Sequence, residues 1–106
     1  MSRISIISGA LLLSALPAAA QQADPAIGRG IAMSACAACH RVEASPDGPS
    51  PNPDAPRFAD VARMNSTTEL SIRVFLRSSH AAMPNFMLGA EEIDSIAAYI
   101  LGLARQ

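Results

Sequence analysis

Apolar side chains occur along this chain at two densities, and the change falls near residue 20. From Ile4 to Leu16 they run almost unbroken, with only Ser and Gly between them. Beyond that they return every three or four positions, the period of one helix face. Ile27, Ile31 and Ala35 predict a first helix, with Asp24 as its N-cap and Pro25 at its first position. Phe58, Val61 and Ala62 mark the inward side of a short helix ending near Met64, with Asn65 as a left-handed stop. Ser66-Thr67-Thr68-Glu69 has the form of a capping box and predicts a helix through about Arg77, with Leu70, Val74 and Phe75 on its apolar face. Gly89 caps a last helix whose buried stripe is Ile93, Ile96, Ala97, Ile100 and Leu103 or Ala104, leaving Tyr99 on its flank. Leu88 and Ile93 are spaced as a hydrophobic staple. Glu91, Glu92 and Asp94 near the start of this helix and Arg105 at its end complement the helix dipole. No segment alternates with period two, so the pattern predicts an all-α fold of roughly three to five short helices.

Two stretches between these helices break the pattern. Residues 45 to 56 contain five prolines, which exclude helix and strand alike. The chain is too short to spare them as a linker between domains, so they are expected to form an ordered loop, and their prolines lower the entropy of the unfolded chain. The second stretch, Ser78 to Leu88, carries His80, Met83, Pro84 and Met87. Gly28 and Gly30 each weaken the first helix by up to about 1 kcal/mol relative to Ala, so at least one is expected to serve a close contact with another element.

The dense apolar run at the start follows Arg3 and ends in Pro17-Ala18-Ala19-Ala20, giving a basic n-region, a short h-region and an A-x-A cleavage site. Its thirteen residues fall short of the roughly 18 that a spanning helix needs. Residues 1–20 are therefore expected to be a cleaved secretory signal peptide, and the product to reach the periplasm without stable membrane insertion. Residues 21–106, 86 in number, make one small domain, a size that usually calls for a staple or cofactor. This portion holds seven arginines, Arg3 having gone, against nine acidic residues, a net charge of −2, and there is no lysine. That balance offers neither a nucleic-acid face nor a lysine-ringed docking patch.

The candidate chemistry lies in Cys36-Ala37-Ala38-Cys39-His40, which contains both cysteines of the chain. Two thiols three residues apart followed at once by an imidazole form the attachment signature of a c-type haem. In a helix, Cys36 and Cys39 would lie on one face about a turn apart, so both sulfurs could add to the vinyl groups along one porphyrin edge. His40 would then offer a ring nitrogen to the iron. A Cys-x-x-Cys redox pair belongs after a strand, whereas an Ala-rich, helix-like segment precedes Cys36. A structural zinc site needs four ligands, and the chain has only two cysteines and two histidines. On the other side of the iron the candidates are Met33, Met64, Met83, Met87 and His80. Loop position favours Met83, with Pro84 fixing the next backbone torsion, ahead of Met87. Met33 and Met64 read more simply as packing residues, and His80 as an exposed loop histidine.

The motif helix, the proline-rich loop, Met83-Pro84 in a late loop and a terminal helix with Ala98-Tyr99-Ile100-Leu101 together resemble a small class I cytochrome c of the single-haem bacterial kind. The resemblance covers nearly all of residues 24–104. It implies an all-α fold in which the first and last helices cross, with Gly28 matching in the first and Ile96 and Tyr99 in the last. It further implies one covalent haem c, with His40 and Met83 as axial ligands to the iron. The proline before the short helix, Pro56, is implied to present its carbonyl to His40, with Phe58 against the ring. Family members often show Gly-Pro-x-Leu-x-Gly, whereas here Ala55 precedes the proline and Asp60 stands where the last Gly would be. Trp is absent, so an indole hydrogen bond to a propionate must be replaced, with Arg57 or Arg63 as the candidates.

The implied function is electron transfer in the periplasm, one electron at a time on a His/Met-ligated haem. Redox proteins would be donor and acceptor: a periplasmic dehydrogenase, an oxidase or another cytochrome. The carboxylates are scattered over helix starts and the loop, with no acid, base or nucleophile constellation, which points to a carrier rather than an enzyme. Two alternatives stay open: a haem subunit bound permanently to a periplasmic dehydrogenase, and a ligand-binding or sensor protein in which Met83 releases the iron.

Overall fold

The computed structural model describes residues 22–78 and 82–106. The leader assigned to residues 1–20 and the loop histidine His80 lie outside them. Among the described residues four α-helices follow in order: α1 Pro25–Ile31, α2 Phe58–Arg63, α3 Glu69–Arg77 and α4 Ala90–Leu103. A π-helical turn, Ala32–Cys36, continues α1 directly. No strand occurs among the described residues, as the absence of a period-two pattern predicts. None of their helices is long and apolar enough to cross a membrane.

α1 begins as the sequence predicts. Asp24 has extended backbone and its Oδ1 accepts from the Ala26 amide at 2.8 Å, while Pro25 occupies a position whose missing N–H costs nothing. The helix then crosses α4 so closely that a Cβ placed on Gly28 would lie 1.9 Å from the carbonyl oxygen of Ser95. The buried Ser95 hydroxyl meanwhile accepts from the Asp24 amide at 3.2 Å. Gly30 faces no heavy atom within 4 Å, so Gly28 alone serves the contact. This crossing also corrects the expected stripe. Ile27 is 56% exposed, and the buried positions of the motif helix are Gly28 and Ala32, because backbones in such close approach admit only the smallest side chains.

α4 is the central element. Ile93, Ile96 and Leu103 are almost wholly buried, with Ala97 and Ile100 between them. Gly89 caps the helix and donates its amide to Glu92 Oε2 at 2.7 Å. Tyr99, expected on the flank, is buried as well, and its hydroxyl donates to the Val42 carbonyl at 2.8 Å. Burial, with the Glu43 carboxylate nearby, pushes its phenol up, so it stays protonated as a donor. Removing that donor strands a buried acceptor, which costs about 1–3 kcal/mol. Tyr99→Phe should therefore lower the denaturant midpoint of unfolding by that equivalent, with an unchanged slope.

Two features of the middle helices differ from expectation. Asn65 is not a left-handed stop: no non-glycine residue among those described has positive φ, and α2 ends where Met64 turns to extended backbone. The capping box at α3 is built by Thr68 and Ser71 rather than by Ser66 and Glu69, with reciprocal bonds of 3.1 and 2.8 Å. Frame and face shift together. Ile72 is the buried residue of α3, while Leu70, Val74 and Phe75 are exposed to 68%, 56% and 48%. Arg73 stands between them, paired with Glu69 one turn back and with Asp94 of α4 at 2.6 Å.

The proline-rich run is an ordered loop tied back to the residues around His40. Arg41 donates its amide to the Ser50 hydroxyl oxygen at 3.0 Å and its guanidinium to the Pro46 carbonyl. The Asn52 amide donates to the Cys39 carbonyl at 3.0 Å, and the Phe58 amide to that of Arg41 at 2.9 Å.

Candidate functional site

The helices and the two loops enclose an apolar cavity of about 650 Å³, within the range of about 300–1,000 Å³ typical of cofactor and ligand sites. Its wall includes all six of the residues singled out from sequence: Cys36, Cys39, His40, Pro56, Phe58 and Met83. They arrive from three directions. Cys36 ends the π-helical turn, and Cys39 and His40 follow in a tight turn in which both their amides donate to the Cys36 carbonyl, at 3.1 and 2.9 Å. Such π-turns inside helices are frequently functional.

The imidazole is oriented by one contact. His40 Nδ1 lies 2.7 Å from the Pro56 carbonyl oxygen, the hydrogen bond that the family resemblance implied. A carbonyl can only accept, so Nδ1 is the donor, and in the neutral ring Nε2 is then the nitrogen with a lone pair to offer. A metal-ligating histidine is ordinarily held in this way. The Phe58 ring sits 5.3 Å from the imidazole, tilted by 52°.

Burial pushes the Cys36 thiol up, the direction opposite to that of a reactive Cys-x-x-Cys thiol. Both cysteines are free of disulfides. Among the described residues, no group of three or more His, Cys, Asp or Glu could hold a metal ion, so the four donors of a zinc site are not gathered there.

The candidate sulfur ligands separate by position. Met83 is half-buried in the cavity wall. Met87 is fully exposed and lines no part of the cavity, and Met33 is 43% exposed away from it. Met64, read from sequence as packing, is instead 52% exposed at the cavity wall. Arg57 and Arg63, expected to reach a propionate, do not line the cavity: Arg57 pairs with Asp47 and Asp60, and Arg63 donates to the Ala59 carbonyl at 3.3 Å. Hydrogen-bonding groups at the wall come from Asn52, Asp54, Ser66, Thr67 and Ser71, and Ile72 and Phe75 of α3 complete its apolar side. The i, i+3, i+4 spacing of Ile72, Phe75 and Leu76 was the sequence signal for that side.

The cavity's size, its apolar lining, the two thiols and the oriented imidazole all fit a haem. Short helices packed round such a pocket make this chain a class I c-type cytochrome. Its particular family is that described as cytochrome C oxidase, cbb3-type, subunit III: the model of that family matches residues 23–100, most of the chain, and the chain belongs to it. No curated protein and no solved structure matches the chain. Membership carries a covalently bound haem c and haem-based electron transfer.

Proposed function

We propose that this protein is a periplasmic electron carrier whose haem is joined to Cys36 and Cys39 and whose iron is ligated by His40 and Met83. The observation that carries this reading is the His40–Pro56 hydrogen bond of 2.7 Å in a wall shared with both thiols and Met83. Bound haem supplies a one-electron ferric/ferrous couple. The protein's part is to hold it: His40 offers Nε2, Met83 offers a soft thioether that favours ferrous iron, and the apolar wall excludes water. With His40 and Met83 both holding the iron, little else would need to change as the electron comes and goes. Residues 1–20 would direct export, and residues 21–106 would be the carrier domain.

The purified protein should keep its colour when extracted with acidified organic solvent. Colour leaving with the solvent would disprove covalent attachment, and single Cys36→Ala and Cys39→Ala variants should each retain the haem by one bond.

The family description favours a second reading, a haem subunit held on a larger oxidoreductase such as an oxidase. Size-exclusion chromatography of a native extract separates the two, since a free carrier elutes near its own mass of 11.0 kDa or below.

A further inference from the structure

The residue that follows Pro56 joins the two segments on either side of it. Arg57 Nε and Nη2 donate to the two carboxylate oxygens of Asp60 at 2.7 and 2.8 Å, and Nη1 donates to Asp47 Oδ1 at 2.6 Å. Asp60 belongs to the first turn of α2 and Asp47 to the proline-rich loop. The guanidinium thus clamps the loop to the helix at the point where the chain passes between them. The Asp60 carboxylate is held below its usual range by these hydrogen bonds, so the pair is charged at neutral pH.

Surface ion pairs of this kind add little to stability. Their geometric content is larger: the bidentate Arg–carboxylate fork fixes an orientation as well as a distance. What it orients is the Pro56–Arg57 peptide. On one side the Pro56 ring fixes φ. On the other, the Arg57 carbonyl is held by the amides of Asp60 and Val61 at 3.0 and 3.1 Å. The remaining freedom is rotation of the peptide plane itself, and that plane carries the carbonyl that accepts from His40 Nδ1.

We infer that Arg57, with Asp47 and Asp60, is a positioning clamp that aims the Pro56 carbonyl at His40 and so sets the donor strength of the imidazole toward iron. The inference rests on the reading of His40 as an axial ligand. A well-aimed carbonyl makes the ring a stronger donor and favours ferric iron. Loosening the clamp weakens that donation and favours ferrous iron, so the reduction potential rises.

Charge alone predicts a different pattern, which makes the test decisive. Deleting a cation near the haem disfavours ferrous iron, and deleting an anion favours it. Arg57→Met and Asp60→Asn should therefore shift the potential in opposite directions if Arg57 acts only through its charge. If it acts as a clamp, both shift it upward, with the ferrous-to-ferric equilibrium moving by about threefold, below the roughly tenfold or greater effects of deleting such a partner outright. The second readout is the His40 Nδ1–H in the proton NMR spectrum of the haem-loaded ferric protein, whose exchange with solvent should speed up in Arg57→Met, Asp60→Asn and Asp47→Asn alike. The two carboxylate variants change exposed groups and keep the test open should Arg57→Met fold poorly. A falling potential in Arg57→Met, or unchanged Nδ1–H exchange in all variants, overturns the clamp. Absence of any hyperfine-shifted imidazole signal in the unsubstituted protein overturns instead the ligation by His40 on which it rests.

Discussion

Gly28→Ala should destabilise the haem-loaded protein by about 3 kcal/mol or more, while Gly30→Ala two residues away should stabilise it. The two glycines share a helix, so intrinsic propensity treats them alike and favours alanine at each by roughly 0.5–1 kcal/mol. The difference is what the added methyl meets. At Gly30 it meets nothing within 4 Å, whereas at Gly28 it would sit 1.9 Å from the Ser95 carbonyl oxygen and 2.8 Å from the Ile96 nitrogen. Those are backbone atoms in the middle of α4, with no rotamer through which to yield. Relief requires α1 to lift away, which loosens Ala32 against the core and stretches the Asp24–Ser95 bond. Overpacking typically costs about 1–3 kcal/mol and more where the neighbour is rigid, against a total of about 5–15 kcal/mol for a small domain. The check is denaturant unfolding of both variants with haem in place. Equal shifts for the two would mean that the helices do not cross at Gly28.

The same crossing explains which parts of the fold could be read from the chain. Helix starts were legible where a side chain makes the cap itself, as at Asp24, or where glycine precedes an apolar period, as at Gly89. The motif was legible because its spacing is the chemistry: two thiols and an imidazole in five residues have few other uses. Pro56 was found through family resemblance, and the 2.7 Å contact with His40 is in place. Faces were harder. In α1 the apolar stripe through Ile27 lost to Gly28 and Ala32, since close helix contact selects for small residues over hydrophobic ones. In α3 two apolar sets compete, Leu70 with Val74 and Ile72 with Leu76, and only the position of α4 decides that Ile72 goes in. Arg57 was one of two candidates, with Arg63, for a propionate. Its actual partners, Asp47 and Asp60, include one ten residues away across a proline-rich loop whose path no local pattern specifies.

Met83→Ala should remove the near-infrared band of thioether-to-iron charge transfer and lower the reduction potential, whereas Met87→Ala should change neither. Sequence alone set Met83 against Met87 by loop position. The structure separates them further, since Met83 is at the cavity wall and Met87 is fully exposed outside it. It also brings forward Met64, which reaches the same wall from the end of α2, so Met64→Ala is the informative control. Loss of the thioether takes away a soft donor that stabilises ferrous iron, which gives the potential its downward sign. It also opens the coordination position. An external ligand must otherwise wait for the fraction of molecules in which methionine has let go, and its apparent affinity is reduced by that fraction. If the bond is broken in about one molecule in a hundred or fewer, deleting the side chain should raise imidazole or cyanide affinity by about 100-fold or more. Spectral titration of the ferric protein measures this directly. A band lost in Met64→Ala and kept in Met83→Ala would transfer the ligand to Met64. No band in the unsubstituted protein, with no gain in affinity in either Met83→Ala or Met64→Ala, would place a non-sulfur ligand on the iron.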